Sequence, residues 1–335
     1  MPACSGCAGA LDNMRIGLSI LWGLVAALVC RAATFEEDFS SDPQQSGWKI
    51  FGDTNLFQWD STNQNLDVTW DSSQTNSYFY HSLGTIVAKS DDFNLSFDLQ
   101  LSDITIGVNP AKPNTFELAV GFNNRINATS TNLERGIGIN ATYGARNVCE
   151  FDYFPDSGYG ATISPTLISS NNQYATVFVH PFTIDPGALF HVAMSYTASN
   201  QTLQTSVTRN GQPFDTTNVV LGSSFSDFRL DRVAVCSYSD MGADGSLLAH
   251  GMVDNFVVTL PPPPTQNLAG NLTNGVWQTQ FLSQSNWFYT LQRSPDFQSW
   301  TNVSSTMPGN ATNLFLQDTS PPAGGAFYRI SAQRP

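Results

Sequence analysis

The residues able to do chemistry are concentrated in one stretch, Cys149-Glu150-Phe151-Asp152-Tyr153-Phe154-Pro155-Asp156-Ser157-Gly158. On a strand, Glu150, Asp152 and Phe154 share one face, and Cys149, Phe151 and Tyr153 the other. Two carboxylates on one face do not suit a core, so that face is expected to look outward from the sheet. Three uses of it are open. Paired carboxyls can act on a glycosidic bond, at separations of ~5–5.5 Å in retaining enzymes and ~6.5–9.5 Å in inverting ones. Carboxylate and carbonyl oxygens can hold a hard cation such as calcium, with Glu150, Asp152, the carbonyl of Phe154, and Asp156 as the set. Or the acids stand on a solvated face or bond a nearby arginine such as Arg146. The hydrolytic use lacks a second group. Phe154 and Pro155 donate no proton, and Asp156 is ~20 Å from Glu150 along an extended strand. No catalytic residue is therefore assigned. Glu150, Asp152 and Tyr159 are the candidate ligand-binding residues, with Tyr159 and Trp59 as rings on which a sugar can stack.

Other chemistries find little footing. His81, His180, His191 and His250 have no metal spacing. There is no Gly-x-Ser-x-Gly elbow and no glycine-rich phosphate loop. The 14 Lys and Arg are scattered singly in a chain of net charge −13. Nucleic acid and anionic membrane surfaces both call for clustered cations, so neither is an expected partner.

The elements that must position these residues read as strands. Period-2 segments recur, among them Phe93-Asn94-Leu95-Ser96-Phe97-Asp98-Leu99, Phe116-Glu117-Leu118-Ala119-Val120-Gly121-Phe122, and residues 190–196, 203–208, 232–238 and 253–260. No helical periodicity follows residue 32. The pattern predicts an all-β protein with an antiparallel jelly-roll sandwich over 33–260. Pro261 to Pro264 cannot feed a sheet ladder, so 261–265 is read as a linker. Residues 266–335 are read as a small C-terminal β-domain whose core draws on its three tryptophans. At the other end, Arg15 precedes an apolar run over 16–29, and Cys30 and Ala32 supply small residues. This is the pattern of a signal peptide over 1–32, with cleavage after Ala32 and an extracellular or cell-surface destination. The run is short for a membrane span. Beyond the leader remain Cys149 and Cys236, either a disulfide or two buried thiols.

Phe190-His191-Val192-Ala193-Met194-Ser195-Tyr196, then Gln201-Thr202-Leu203, then Arg209-Asn210-Gly211-Gln212, resembles the laminin G-like signature. Glu37-Asp38-Phe39 and Val253-Asp254-Asn255-Phe256 resemble the paired terminal strands of such domains. The resemblance covers roughly 34–260 and implies the concanavalin A-like lectin/glucanase sandwich. That superfamily includes sugar-binding proteins and glycosidases, so the fold does not choose between them. In its laminarinase-like branch Glu150 would match the nucleophile and Asp152 the assisting aspartate. The acid/base glutamate has no counterpart. In its legume-lectin branch Glu150, Asp152, Phe154 and Asp156 match the metal-ligand spacing. The next aspartate falls on Ala161, and the histidine is missing. The segment around Tyr289-Thr290-Leu291-Gln292-Arg293-Ser294, Ser299-Trp300 and Phe327-Tyr328-Arg329-Ile330 resembles a small β-domain appended to secreted bacterial proteins. The expectation is an exported, non-catalytic protein whose partner is a glycan or cell-surface polysaccharide. A β-glucan hydrolase and a structural or adhesive surface protein are the alternatives.

Overall fold

A computed structural model describes residues 33–135 and 142–335. The expected leader over 1–32 lies outside the described residues. Strands are numbered along the chain. One sheet holds eight strands: β1 (Ala33–Glu37), β3 (Phe57–Asp60), β4 (Asn65–Asp71), β6 (Phe93–Ile106), β11 (Phe190–Thr197), β12 (Thr202–Arg209), β13 (Gln212–Val220) and β15 (Leu247–Leu260). Its order is β13-β12-β11-β6-β15-β4-β3, with β1 also on β15. The second sheet holds β2 (Lys49–Phe51), β5 (Ser77–Ala88), β7 (Leu118–Asn123), β8 (Val148–Phe154), β9 (Thr162–Ile168), β10 (Tyr174–Thr176) and β14 (Arg229–Ser237), in the order β10-β9-β8-β7-β14-β5-β2. All named pairings are antiparallel. This is the jelly-roll sandwich that the alternating pattern predicts.

Alternation explains the interior. Phe93, Leu95, Phe97, Leu99 and Leu101 of β6, and Phe190, Val192, Met194 and Tyr196 of β11, all point between the sheets and are buried. Aromatic rings mesh across the gap, with Phe93 edge-on to Phe122 at 5.3 Å and Phe97 edge-on to Phe151 at 6.1 Å. Cys149 lies on β8, Cys236 on β14, and both are buried free thiols.

β8 and β9 depart from alternation, being buried on both faces. The cause is the connection between β7 and β8. Its described residues include a short helix, α1 (Arg125–Ala128), and Arg135, which lies against Glu150 and Asp152 on the outer face of the second sheet. Ala128, Leu133 and Ala145 of this connection pack with Asn123, Val148 and Tyr238. The face expected to be open is therefore roofed.

Residues beyond the proline run build two further sheets. One is β16 (Thr265–Thr273), β17 (Val276–Ser283) and β21 (Asn313–Asp318). The other is β18 (Phe288–Ser294), β19 (Thr301–Asn302), β20 (Met307–Pro308) and β22 (Phe327–Gln333). Phe281, Trp287, Tyr289, Leu291, Leu314 and Leu316 form their core, and Ile86 of β5 packs against it. Of the three tryptophans in this part, Trp287 alone is buried. Trp277 is half-buried on Tyr328, and Trp300 lies under Arg329.

One arginine ties this part to the sandwich. Arg334 is almost wholly buried, pairs with Asp91, bonds Ser90 Oγ at 3.3 Å and lies over the Trp287 ring at 4.7 Å. Arg229 reaches the Pro335 carbonyl at 2.8 Å. Arg334→Ala is expected to cost on the order of 2 kcal/mol, because it strips charged hydrogen bonds from a partly buried acid. The measurable result is faster proteolysis near residues 261–265 at an unchanged sandwich fold.

Candidate functional site

The outer face of the second sheet is laid out by its register. Gly121 stands opposite Glu150, and Ala119 opposite Asp152. Ala234 and Cys236 lie beyond them on β14, with Thr166 and Ser164 on the other side on β9. Small residues on β7 and β14 leave a trough. At Gly121 a Cβ would fall 2.3 Å from the Cys149 carbonyl oxygen and 2.6 Å from Glu150 Cα, so any larger residue would push β8 away.

Three carboxylates and one guanidinium fill the trough. Arg135 Nη2 lies 3.0 Å from Asp152 Oδ2 and 3.4 Å from Glu150 Oε2, and Arg135 Nε lies 3.1 Å from Glu117 Oε1. The guanidinium also sits over the Tyr238 ring, 5.3 Å from its centroid. Tyr238 donates its hydroxyl to Glu150 Oε1 at 2.5 Å, and the Cys236 thiol donates to the same oxygen at 3.4 Å. Glu117, Arg135, Glu150 and Asp152 are all essentially inaccessible.

Charge counting dictates the protonation. Three ionised carboxyls around one cation would leave two uncompensated negative charges in a dry site, which is prohibitive. Burial pushes Glu117 up to about 8 and Glu150 to about 7, against the pull of Arg135. Asp152 is raised by burial as well, again opposed by Arg135. Glu150 accepts two further donors, whereas the Arg135 Nε contact to Glu117 is misaligned and leaves Glu117 Oε1 without a hydrogen bond. The first proton therefore rests on Glu117. Burial likewise raises Tyr238 and Tyr78 far above the usual phenol range, so both stay neutral.

The candidate residues separate on this framework. Glu150 and Asp152 come together, and they point away from the sandwich interior as expected. They are not solvated, because Arg135 and its connection cover them. The arginine they bond is Arg135, not Arg146. Phe154 and Asp156 do not join them. Asp156 is exposed in the turn after β8, where its Oδ1 accepts the Gly158 N–H at 3.0 Å. The proposed calcium set is thus not assembled, and the residues do not fit the ion: a guanidinium occupies the position a cation would take between Glu150 and Asp152. Among the described residues no three His, Cys, Asp or Glu side chains are arranged to hold a metal. Glu117, Arg135 and Tyr238 are the members that sequence reasoning missed. The one signal was the row Glu117, Ala119, Gly121, an acid followed by two small residues on one strand face.

Tyr159 lies in the same turn as Asp156 and is 77% exposed. Gly158 and Gly160 flank it at φ +83° and +95°, a conformation other residues adopt at a cost. Ser157 closes the turn, its N–H donating to the Gly160 carbonyl at 3.0 Å and its hydroxyl meeting Thr162 Oγ1 at 2.8 Å. One face of the Tyr159 ring stacks on His180, centroids 5.5 Å apart at 27°. Trp59 is not presented in this way: it is half-buried and donates to the Phe39 carbonyl at 2.9 Å.

No protein-family model matches the chain, and no curated protein sequence matches it. Among solved structures it is similar to peanut lectin in complex with a nine-residue peptide, at 17% identity and TM-score 0.43, over 69% of this chain and 98% of the lectin. It is also similar to the Lotus tetragonolobus seed lectin, at 13% identity and TM-score 0.42 over 69% and 100%. Lectin II from Ulex europaeus gives 11% and 0.44 over 68% and 98%.

The raised glutamates fix how stability depends on pH. Their unfolded values lie near 4.5, so between there and about 8 the folded state holds the more protons. Their contribution to stability is then fully present below about 4.5 and is lost as pH rises to about 8. Chemical denaturation across this window should show the decline, and Glu117→Gln should flatten it by removing the most raised group. Calcium gives a separate check. Ligand binding only to the folded state would raise the melting temperature. With Arg135 in place, added calcium or chelator is expected to leave the melting curve of the metal-free protein unchanged.

Proposed function

We propose that this chain is an exported, non-catalytic carbohydrate-binding protein whose partner is a glycan or cell-surface polysaccharide. The observation that carries this reading is Tyr159. It is a large aromatic ring held out of the surface by a hydrogen-bonded turn, backed by His180 and left open on its other face. Sugar rings present apolar C–H faces that stack on such a platform, and the holding turn removes much of the ordering cost. The exposed Asp156 beside it offers a carboxylate for hydroxyls. The likeness of 34–260 to laminin G-like domains is in keeping with this use.

One observation favours the hydrolytic alternative. Glu150 and Glu117 have the raised values required of a general acid. Against it, both are covered by Arg135 and its connection, out of reach of a polymer. A glycan array followed by a reducing-sugar assay separates the readings. Saturable binding without sugar release is expected, with Tyr159→Ala weakening it by up to about tenfold, the scale of one lost aromatic stacking contact of ~0.5–1.5 kcal/mol. Sugar release abolished by Glu150→Gln would establish the enzyme instead. Neither binding nor release would leave the adhesive reading. Export is tested by N-terminal sequencing of protein from the native host, which should begin near Ala33.

A further inference from the structure

The edge strand β10 ends at Thr176, but its register does not. Tyr174 pairs with Ile168 and Thr176 with Thr166, and three residues on Val179 pairs with Ile163. These pairings share one register, which sets Phe178 opposite Ser164 and His180 opposite Thr162. The regular ladder lapses because Pro165, opposite Val177, has no N–H to donate. Its carbonyl accepts the Thr176 hydroxyl at 3.0 Å instead. Ser164 also stands opposite Asp152 of β8. Thr176, Phe178 and His180 therefore share the outer face of the seven-stranded sheet, while Val179 turns inward against the core.

Phe178 is a large ring held in water. It is 61% exposed and lies ~6–7 Å along the strand from His180. His180 is the ring on which Tyr159 stacks. A Cβ at Gly160 would stand 3.9 Å from Pro181 Cβ, so the turn that carries Tyr159 lies on the Pro181 side of His180, and Phe178 on the other. Beyond Phe178, Thr176 and Val177 line a cavity of about 570 Å³ together with Tyr174, Val220 and Ser224. Tyr159, His180, Phe178 and this cavity make one row along the sheet edge. The row is free of fixed charge: from Ser157 to Ile184 there is no Asp, Glu, Lys or Arg.

We propose that this row binds a linear, uncharged polysaccharide along its length, with Phe178 as a second stacking ring. The inference rests on the reading of Tyr159 as a sugar platform and extends it. One sugar ring covers Tyr159 without reaching past His180 to Phe178, so only a chain of sugars gains from both. The strand register fixes Phe178 before the ligand arrives, which lowers the ordering cost. Charge selects the class. An anionic polysaccharide finds no cation in the row, meets Asp156 at its near end, and is repelled by a chain of net charge −13. An uncharged chain meets none of these costs.

Affinity electrophoresis of the full chain tests this, in gels that hold an uncharged polysaccharide (a β-glucan, a galactomannan or starch) or an anionic one (alginate or pectate). Retardation by at least one uncharged gel and by no anionic gel is expected. Tyr159→Ala and Phe178→Ala should each weaken it about two- to tenfold at an unchanged melting temperature. Val257→Ala, at an exposed residue of the other sheet, should not. Fragments of the retarding polysaccharide should compete better as they lengthen from two sugars to six, and Phe178→Ala should remove most of that gain. Retardation that needs Tyr159 but not Phe178, or competition that does not grow with length, overturns the row and leaves the Tyr159 platform standing. Retardation indifferent to Tyr159, or absent from every gel, overturns both. Retardation by an anionic gel overturns the uncharged class. If Phe178→Ala alters sedimentation but not retardation, the ring covers a second copy of the chain, and the row is again overturned.

Discussion

A single guanidinium holds the outer face of the seven-stranded sheet together. Arg135 is the one cation among Glu117, Glu150 and Asp152. Without it three carboxyls would be left in a site closed to water, and removing one partner of such a cluster costs ~3–5 kcal/mol. The geometry of the neighbouring elements follows from this. β7 must be small at Ala119 and Gly121 to admit the side chains, and Tyr238 must turn its hydroxyl to Glu150. The connection that carries Arg135 must lie flat on the sheet, and Asn76, Asn147 and Asn172 hold it there through backbone and side-chain bonds.

Roofing the sheet changes what its acids can do. A carboxylate pair on an open face could meet a cation or a substrate. Under Arg135 the same pair is neutralised by ion pairing and proton uptake, and three of its four oxygens are spent on Arg135, Tyr238 and Cys236. The turn after β8 stays exposed, and there Tyr159 stands clear. The site is therefore divided. The charged part organises the scaffold, and the exposed aromatic part, fixed by Ser157 and two glycines, faces outward.

The two halves of the molecule solve the burial problem differently. The large sandwich closes its core with rings from both sheets and keeps its edges short or charged. The small sheets have few core residues, and they borrow Ile86 and the Asp91–Arg334 pair from their neighbour. Even so, β16 keeps two leucines in water.

Much of this was legible in the chain. Alternation of apolar residues gave the strands of the large sandwich, since a strand with one buried face must repeat every two residues. Asn210-Gly211, both at positive φ, is the residue pair that a two-residue hairpin turn requires, and it joins β12 to β13. β16 went unread because Gln266-Asn267-Leu268-Ala269-Gly270-Asn271-Leu272 lacks β-branched residues, although Asn274-Gly275, also at positive φ, marks the turn that pairs it with β17. Glu150 and Asp152 were correctly placed on one face, turned away from the interior. Their burial was not readable. It depends on Arg135, which sits in a connection of no periodicity and reaches them only after the chain has crossed the sheet. Local pattern determines which way a side chain points. What meets it there is a contact between residues distant along the chain, and only the tertiary structure decides that.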